Sequence, residues 1–556
     1  MKLNRISILV GMLAVALSAM ADVKPRPILN GKQGLEAREA MGIAMPDPNR
    51  RMNEAARMAA AKALERPMAT VGLHALAPLA SQGTPKVPVV LVEFSDLHFT
   101  ANGEGMDANS YFDLYCNGTR NGENYTGAGS YGSVRDYFIY QSDSIFQPEF
   151  VIIGPVVLSE SYKYYGKNSG SRKDVNIKQF YSDAIKKAQE LIPNWNVFDN
   201  NNDGIIDMAY FIYAGEGENG CDDDYTIWPK ESSSGDYING IEYGAFACCN
   251  ELYGDVADGI GVMCHELSHA LGLPDLYDTN YKMFGMDYWD IMDSGCYCKN
   301  GYQPCGYSAY EKDFMQWTSL ITLDPTEGQD LTLRPISEGG QGYKLVNPEN
   351  SNEYYIIENR QNTSWDEYIG RGSKNLKHHG MLAIHVDYSQ MNWTNNTVNT
   401  SANHQRFTIV PADSILHSYM FVDSQEKYNE FMYSINADPY PGRNNTTSLL
   451  PDRMTVYTTT GETPGQLNQP LTEITEHEDG TITLKYCGGA PAPIEYAAED
   501  VNRDGKVNAT DVMLIYNYIL ASSSPEVATD EPCDVNKDGK VNATDVMIIY
   551  NYILAH

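Results

Sequence analysis

Two histidines four positions apart, His265 and His269, enclose a glutamate, Glu266, in the run His265-Glu266-Leu267-Ser268-His269-Ala270-Leu271-Gly272-Leu273-Pro274-Asp275. Val262, Met263, Leu267 and Leu271 recur at three-to-four spacing, which predicts a helix over 258–271 with both imidazoles on one face, one turn apart. Two rings so placed can share one metal ion. A catalytic Zn2+ takes three protein ligands and keeps a fourth position for water, so a third ligand is required. Gly272, just past the last turn, can adopt a left-handed cap that lets the chain double back, and Pro274 stops the helix from resuming. That brings Asp275 round as the third ligand, with Asp278 close enough to compete for the place. Glu266 faces the same cleft and can take a proton from a water whose pKa zinc lowers toward neutrality. The chemistry implied is hydrolysis of an amide. Downstream, Trp289-Asp290-Ile291-Met292-Asp293-Ser294-Gly295 puts Met292 where a methionine turn would floor the site.

The run from His265 to Asp275, followed by Leu276-Tyr277-Asp278 and the Met292 turn, resembles the secreted immune-inhibitor-A family of metallopeptidases. In that family an aspartate replaces the third histidine of ordinary metzincins. The resemblance extends over about residues 86–390 and implies an α+β, zincin- or metzincin-like catalytic domain, expected over 85–325, with one catalytic Zn2+ and protein or peptide substrates.

The elements that must position this site follow in order. Val87 to Asp96 opens with an apolar β-branched run that reads as a buried strand, and the same opening is familiar in the resembling family. Ser133–Tyr140 and Asn176–Leu191 read as helices, the second with Ile177, Phe180, Tyr181, Ala184, Ile185, Ala188 and Leu191 on one stripe. Asp199, Asn201 and Asp203 at alternate positions, the turn glycine Gly204, a carbonyl at Ile205 and a carboxylate at Asp207 form a calcium loop running into a buried strand, Met208–Gly215. Tyr210 stands where an EF-hand would carry its last acid, so one structural Ca2+ in a loop-to-strand site is expected. Tyr307–Trp317 predicts the closing helix, and Tyr297, Tyr307 and Tyr310 are candidates for stabilising a developing oxyanion. Residues 326–488 turn to strands, among them Tyr354–Arg360, Met381–Asp387 and Thr481–Tyr486, and are read as a β-rich, sandwich-like accessory region. His378, His379 and His385 there are read as packed or exposed histidines rather than a second metal site.

With 556 residues the chain is too long for one core, and a net charge of −33 argues against nucleic acid while suiting cation binding. Lys2 and Arg5 precede the apolar run Ile6–Leu17, and Ala19-Met20-Ala21 is a small-residue cleavage site, so 1–21 reads as a signal peptide and the mature protein as secreted or surface-attached. No later apolar run is long enough to span a bilayer. In residues 22–84 basic residues outnumber acidic ones, and the segment is read as a propeptide able to dock on an anionic catalytic domain. Ten cysteines can pair in such a compartment, and disulfides among Cys248, Cys249, Cys296, Cys298 and Cys305 would pin the loops round the site. Cys264 reads as a small buried apolar residue and no cysteine as a zinc ligand.

Beyond a linker at 489–497 the chain repeats itself with a period of 34: residues 500–520 recur at 534–554. Asp500, Asn502, Asp504, Lys506 (by its carbonyl), Asn508 and Asp511 in one copy, and Asp534, Asn536, Asp538, Lys540, Asn542 and Asp545 in the other, stand at calcium-ligand spacing running into an amphipathic helix. No incoming helix precedes either loop. These half EF-hands resemble a dockerin module over 498–556, which implies a small all-α unit with two Ca2+ ions and a cohesin domain on a scaffold protein as partner. The resemblance puts the partner contacts at Ala509, Thr510, Ala543 and Thr544, duplicated so that two binding orientations are open. The sequence as a whole reads as a secreted zinc endopeptidase made as a zymogen and tethered to a scaffold. The rival is a scaffold-bound adhesion or substrate-binding protein with an inactive peptidase fold, against which the intact Glu266 argues.

Overall fold

The computed structural model describes residues 77–488, apart from 101–105, 121–122, 125–129, 171, 222, 233–235, 255, 372–377, 419–421, 423 and 458–463, together with 499, 501, 507, 509–521 and 533–555. The signal peptide, nearly all of the propeptide, the linker, and Asp500, Asn502, Asp504, Lys506 and Asn508 of the first repeat lie outside the described residues. The chain divides into one unit ending at Gly489 and a second beginning at Ala490.

The first unit is mixed α/β with several sheets. Its principal sheet takes strands β1 (Lys86–Glu93), β2 (Glu149–Val157), β3 (Ile205–Glu216), β4 (Lys230–Ser232) and β5 (Ile241–Tyr253) in the order β2-β1-β3-β5-β4, with two short strands paired on β5. β1 runs parallel to β2 and β3, and β3 parallel to β5, while β4 closes the edge antiparallel. Both faces are covered, which explains the near-continuous apolar runs. Val87, Val89 and Leu91 enter one core, Val90 and Val92 the other. Helix α1 (Ile177–Leu191) lays Phe180, Tyr181, Ala184, Ile185 and Ala188 on the second face, matching the stripe read from sequence except at its end, where Leu191 is exposed. On the first face lie α2 (Gly261–Ala270) and, after it, α3 (Ala309–Phe314), the latter capped by Ser308 with Glu311 closing a capping box.

Downstream, a five-stranded sheet contains β6 (Tyr343–Asn347), β7 (Asn350–Arg360), β8 (Gly380–Asp387) and β9 (Phe407–Ile409), and a three-stranded sheet contains β10 (Leu471–Glu476) and β11 (Ile482–Tyr486). On β7, Tyr354 and Ile356 face the core that holds α2, while Tyr355 and Ile357 face the core shared with the three-stranded sheet. One hydrophobic core therefore runs across residue 325, from Leu79 through the α2 region to Trp393 and Phe407.

The ten cysteines are free, which corrects the expectation that disulfides pin the catalytic loops. Cys248 and Cys249 are neighbours on β5 and so point to opposite faces, one into each core. Cys264 is fully buried, as a small apolar residue would be.

In the second unit, α4 (Ala509–Ala521) and α5 (Ala543–Ala555) pack round Val501, Ile515, Cys533, Val535, Val541 and Ile549. Among the described residues no helix is long and apolar enough to cross a membrane.

Candidate metal centre

Every residue of α2 is buried, so His265, Glu266 and His269 stand on a helix that packing holds on all sides. Just beyond its end Gly272 takes φ +105°, its N–H reaching the His269 carbonyl at 2.9 Å. That turn swings the Leu273 carbonyl back under the helix, where it lies 2.8 Å from His269 Nδ1. The Ile291 carbonyl lies 2.7 Å from His265 Nδ1. Each ring has a backbone acceptor behind it, which fixes the proton on Nδ1 and leaves Nε2 with its lone pair forward.

The forward atoms converge. Asp275 Oδ1 lies 3.3 Å from His265 Nε2 and 3.2 Å from His269 Nε2, and the two rings stand nearly perpendicular with centroids 4.7 Å apart. Tetrahedral bonds of about 2.0–2.1 Å put neighbouring ligand atoms about 3.3 Å apart. His265 Nε2 and Asp275 Oδ1 are buried and no hydrogen bond satisfies either. Such orphaned atoms are costly unless something holds them, and a zinc ion fits the donor set and its spacing. Glu266 offers an oxygen within 4.8 Å of both histidine nitrogens. Without a metal, burial works against charge on His265, yet the Asp275 carboxylate beside it holds the ring pKa well above its usual value. Asp275, buried but facing both rings, is held well below the usual carboxylate range.

Asp278 is used otherwise. Its oxygens accept from the backbone N–H groups of Asn280, Lys282 and Met283 at 2.9, 2.9 and 3.0 Å, shaping the loop after Asp275. Met292 is buried, and its carbonyl accepts from Leu276 N–H at 2.9 Å. The turn thus grips both the helix and the segment after it by adjacent carbonyls, Ile291 on His265 and Met292 on Leu276. Of the three tyrosines, Tyr307 is fully buried with its hydroxyl on Ser268 Oγ, and Tyr310 accepts from Trp393 Nε1 at 2.7 Å. Tyr297 alone of the three is only partly buried.

Sequence reasoning missed the residues that reach the site from beyond 325. Asn396 holds Asp275, Trp289 Nε1 donates to buried Asp438 at 2.9 Å, and Arg360 bridges Glu358 and Asp366 while donating to the Gly306 carbonyl at 2.8 Å. The one signal for these was the charged ending Glu358-Asn359-Arg360 of an apolar strand. His378, His379 and His385 go to separate partners, the Gly370 carbonyl, Glu476 and Glu353.

The loop at 199–207 and the second repeat loop share one hydrogen-bond ladder. Asp203 N–H donates to Asp199 at 3.1 Å and Asn201 at 2.9 Å, and Gly204 N–H to Asp199 at 2.9 Å. Asp538 N–H donates to Asp534 at 3.1 Å and Asn536 at 2.9 Å, and Gly539 N–H to Asp534 at 2.7 Å. The left-handed residues match as well, Asn202 with Lys537 and Gly204 with Gly539. Ile205 N–H and Lys540 N–H donate to the fifth-position aspartate, and a carboxylate reaches back across each loop, Asp207 to Asn200 N–H and Asp545 to Asn536 N–H, both at 3.3 Å. Asp511 and Asp545 are fully buried at the helix starts, whereas Ala509, Ala543 and Thr544 are exposed; the side chain of Thr510 lies outside the described residues.

Residues 76–319 match the immune inhibitor A peptidase M6 catalytic domain, and residues 498–554 the dockerin type I domain. The chain is 29% identical over 282 residues to the pre-pro-metalloprotease PrtV of Vibrio cholerae, covering 42% of this chain and 30% of that protein. It is 31% identical over 147 residues to immune inhibitor A of Bacillus thuringiensis subsp. alesti, covering 22% of this chain and 21% of that protein. The chain thus spans less than a third of the length of these relatives.

Proposed function

We propose that this chain, whose residues 76–319 are an immune inhibitor A peptidase M6 catalytic domain and whose residues 498–554 are a dockerin, is a secreted zinc endopeptidase made as a zymogen and attached to a scaffold. The observation that carries the reading is the convergence of His265 Nε2, His269 Nε2 and Asp275 Oδ1, two of them without a hydrogen bond, beside the Glu266 carboxylate. A zinc ion held there supplies Lewis-acid polarisation of the scissile carbonyl and lowers the pKa of the attacking water. Glu266 takes the proton of that water and passes it to the leaving amine. Of the three tyrosines, Tyr297 is the one that is only partly buried, and it is our candidate to donate to the developing oxyanion.

In addition, Asp199, Asn201, Asp203, the Ile205 carbonyl and Asp207 hold one Ca2+ that stiffens the entry to β3, and the dockerin repeats hold one each. The dockerin takes a cohesin domain through Ala509 and Thr510 or through Ala543 and Thr544. Residues 1–21 direct secretion and 22–84 keep the enzyme latent; the Vibrio relative's own name, pre-pro-metalloprotease, accords with such leaders.

The test is cleavage of an unfolded protein by the purified chain after propeptide removal, with and without chelator, beside Glu266→Ala. Chelator-sensitive activity in the parent and none in the zinc-loaded variant supports the reading. Absence of cleavage at full zinc occupancy overturns it in favour of an inactive, scaffold-bound binding protein.

A further inference from the structure

We infer that Asn396 is a positioning residue for the third metal ligand, and that the centre is completed by a strap, residues 396–408, lying outside the matched catalytic segment. The inference rests on the reading of His265, His269 and Asp275 as metal ligands. Asn396 is buried, with 2% of its surface exposed, and takes φ +55°, a conformation asparagine tolerates better than other side-chain-bearing residues. It follows the short helix Gln390–Thr394, and the left-handed turn directs its amide inward.

That amide meets Asp275 twice. Its Oδ1 accepts from the Asp275 backbone N–H at 2.7 Å, and its Nδ2 donates to Asp275 Oδ2. One rigid planar group thus fixes both the backbone of the ligand residue and the rotation of its carboxylate. The consequence lies in which oxygen is left. With Oδ2 engaged, Oδ1 alone faces the two Nε2 atoms, so Asp275 would hold a metal through one oxygen and leave a fourth position free for water. A carboxylate free to turn could bring both oxygens to the metal and occupy that position.

The rest of the strap holds the loop after Asp275 by its carbonyls. Asn399 Nδ2 donates to Leu276 O at 2.8 Å, Gln405 Nε2 to Phe284 O, and Thr408 Oγ1 to Gly285 O at 3.1 Å. Thr279 Oγ1 donates back to Asn396 O at 3.3 Å. Asn399 is itself fixed by accepting from the backbone N–H groups of Arg406 and Phe407 at 3.0 Å. The strap runs into the five-stranded sheet, whose strand β9 begins at Phe407, so the downstream region forms part of the metal site.

The experiment uses the full chain, with zinc affinity measured by chelator competition and the visible spectrum of the cobalt-substituted protein as a second readout. Asn396→Ala is expected to weaken zinc 10–100-fold, the usual cost of removing a partner of a metal ligand. It is also expected to lower cobalt absorption in the visible, as four-coordinate metal gives way to five-coordinate. Asn396→Asp keeps the acceptor for Asp275 N–H and the size of the side chain but removes the donor to Oδ2. It should fold, and weaken zinc at least as much. Asn399→Ala loosens the strap without touching Asp275 and should leave the cobalt spectrum in place. Parent-like affinity and spectrum in both Asn396 variants, or in Asn396→Asp alone should the alanine variant not fold, overturn the inference. A parent chain that binds no zinc at all rejects instead the metal reading beneath it.

Discussion

His269 Nδ1 lies 2.8 Å from the carbonyl oxygen of Leu273, four residues further along the chain. The same glycine turn that sends the chain back toward Asp275 therefore also orients the second histidine of the helix. A local feature does two things: it returns the chain, and it chooses the tautomer that presents Nε2 forward. His265 has no such neighbour and takes its acceptor from Ile291, in the turn of Met292. The two rings are aligned by different segments, so changes in either segment should read out at the metal.

Gly272 is the position to change first. Its φ of +105° is one that a residue with a Cβ occupies at a cost of roughly 1–3 kcal/mol. Gly272→Ala should relieve that strain by moving the 272–273 peptide, withdrawing the Leu273 carbonyl from His269. The expected outcome is a loss of stability of that order together with zinc weakened about 10-fold or more, measured by denaturant unfolding and chelator competition on the same preparation. Unchanged zinc affinity at reduced stability would confine Gly272 to chain reversal.

Asp275 and Asp278 separate cleanly. Asp275→Ala should abolish zinc retention through dialysis. Asp278→Ala removes the acceptor of three backbone N–H groups, and should cost about 1–3 kcal/mol of stability while zinc stays bound. Zinc analysis of the two purified variants decides it, and the reverse pattern would exchange their roles.

How far the sequence could be read depends on the range of the interactions. The helix of His265, the return at Gly272, the α1 stripe from Phe180 to Ala188 and the repeated aspartate loops are set by spacing within about a dozen residues. They are legible because periodicity and turn chemistry are local. Asn396 is 121 residues from Asp275, and an asparagine among Asn395, Asn396 and Asn399 carries no pattern that distinguishes it. The continuity of the core across residue 325 was hidden for a related reason. Tyr354 to Ile357 reads as one apolar strand, and only the structure shows that its two faces enter different cores. The adjacent pair Cys248 and Cys249 suggested disulfides by crowding in sequence, whereas strand alternation sends them apart.

Asp290 and Glu311 make stability depend on pH. Both are fully buried, and Asp290 Oδ2 and Glu311 Oε1 find no donor in the protein. Burial pushes Asp290 up to about 6 and Glu311 well above its usual value, the neighbouring Asp290 carboxylate raising Glu311 further. Because both folded-state values are raised, the contribution is fully present below about pH 4, the unfolded range. It is lost as pH rises through about 6 and beyond. Glu311→Gln keeps a donor for Asp290 and an acceptor for Ser308 without a titrating proton. Urea unfolding from pH 5 to 9 should show the parent losing stability across this range and the variant losing distinctly less. Parallel curves would show that the pair does not carry the dependence.

Asp207 gives a parallel test of calcium in the first unit. It is 4% exposed, accepts from Asn200 N–H and Nδ2, and is raised to about 7 by burial, with Asp203 and Asp199 adding to the effect. In the absence of a cation its contribution is therefore present below about pH 4 and lost as pH rises through about 7, on the order of 4 kcal/mol over the window. A bound Ca2+ favours the charged carboxylate and should cancel that fall. All six tryptophans precede residue 489, so their fluorescence follows the first unit without interference from the dockerin repeats. Unfolding followed this way should give curves that diverge with rising pH, the calcium-loaded protein the more stable at pH 8 and the difference small at pH 5. In Asp207→Asn the two curves should coincide throughout. A calcium effect that survives that substitution would place the ion elsewhere in the unit, while no calcium effect in the parent would leave residues 199–207 as an asparagine-rich turn held by its own backbone.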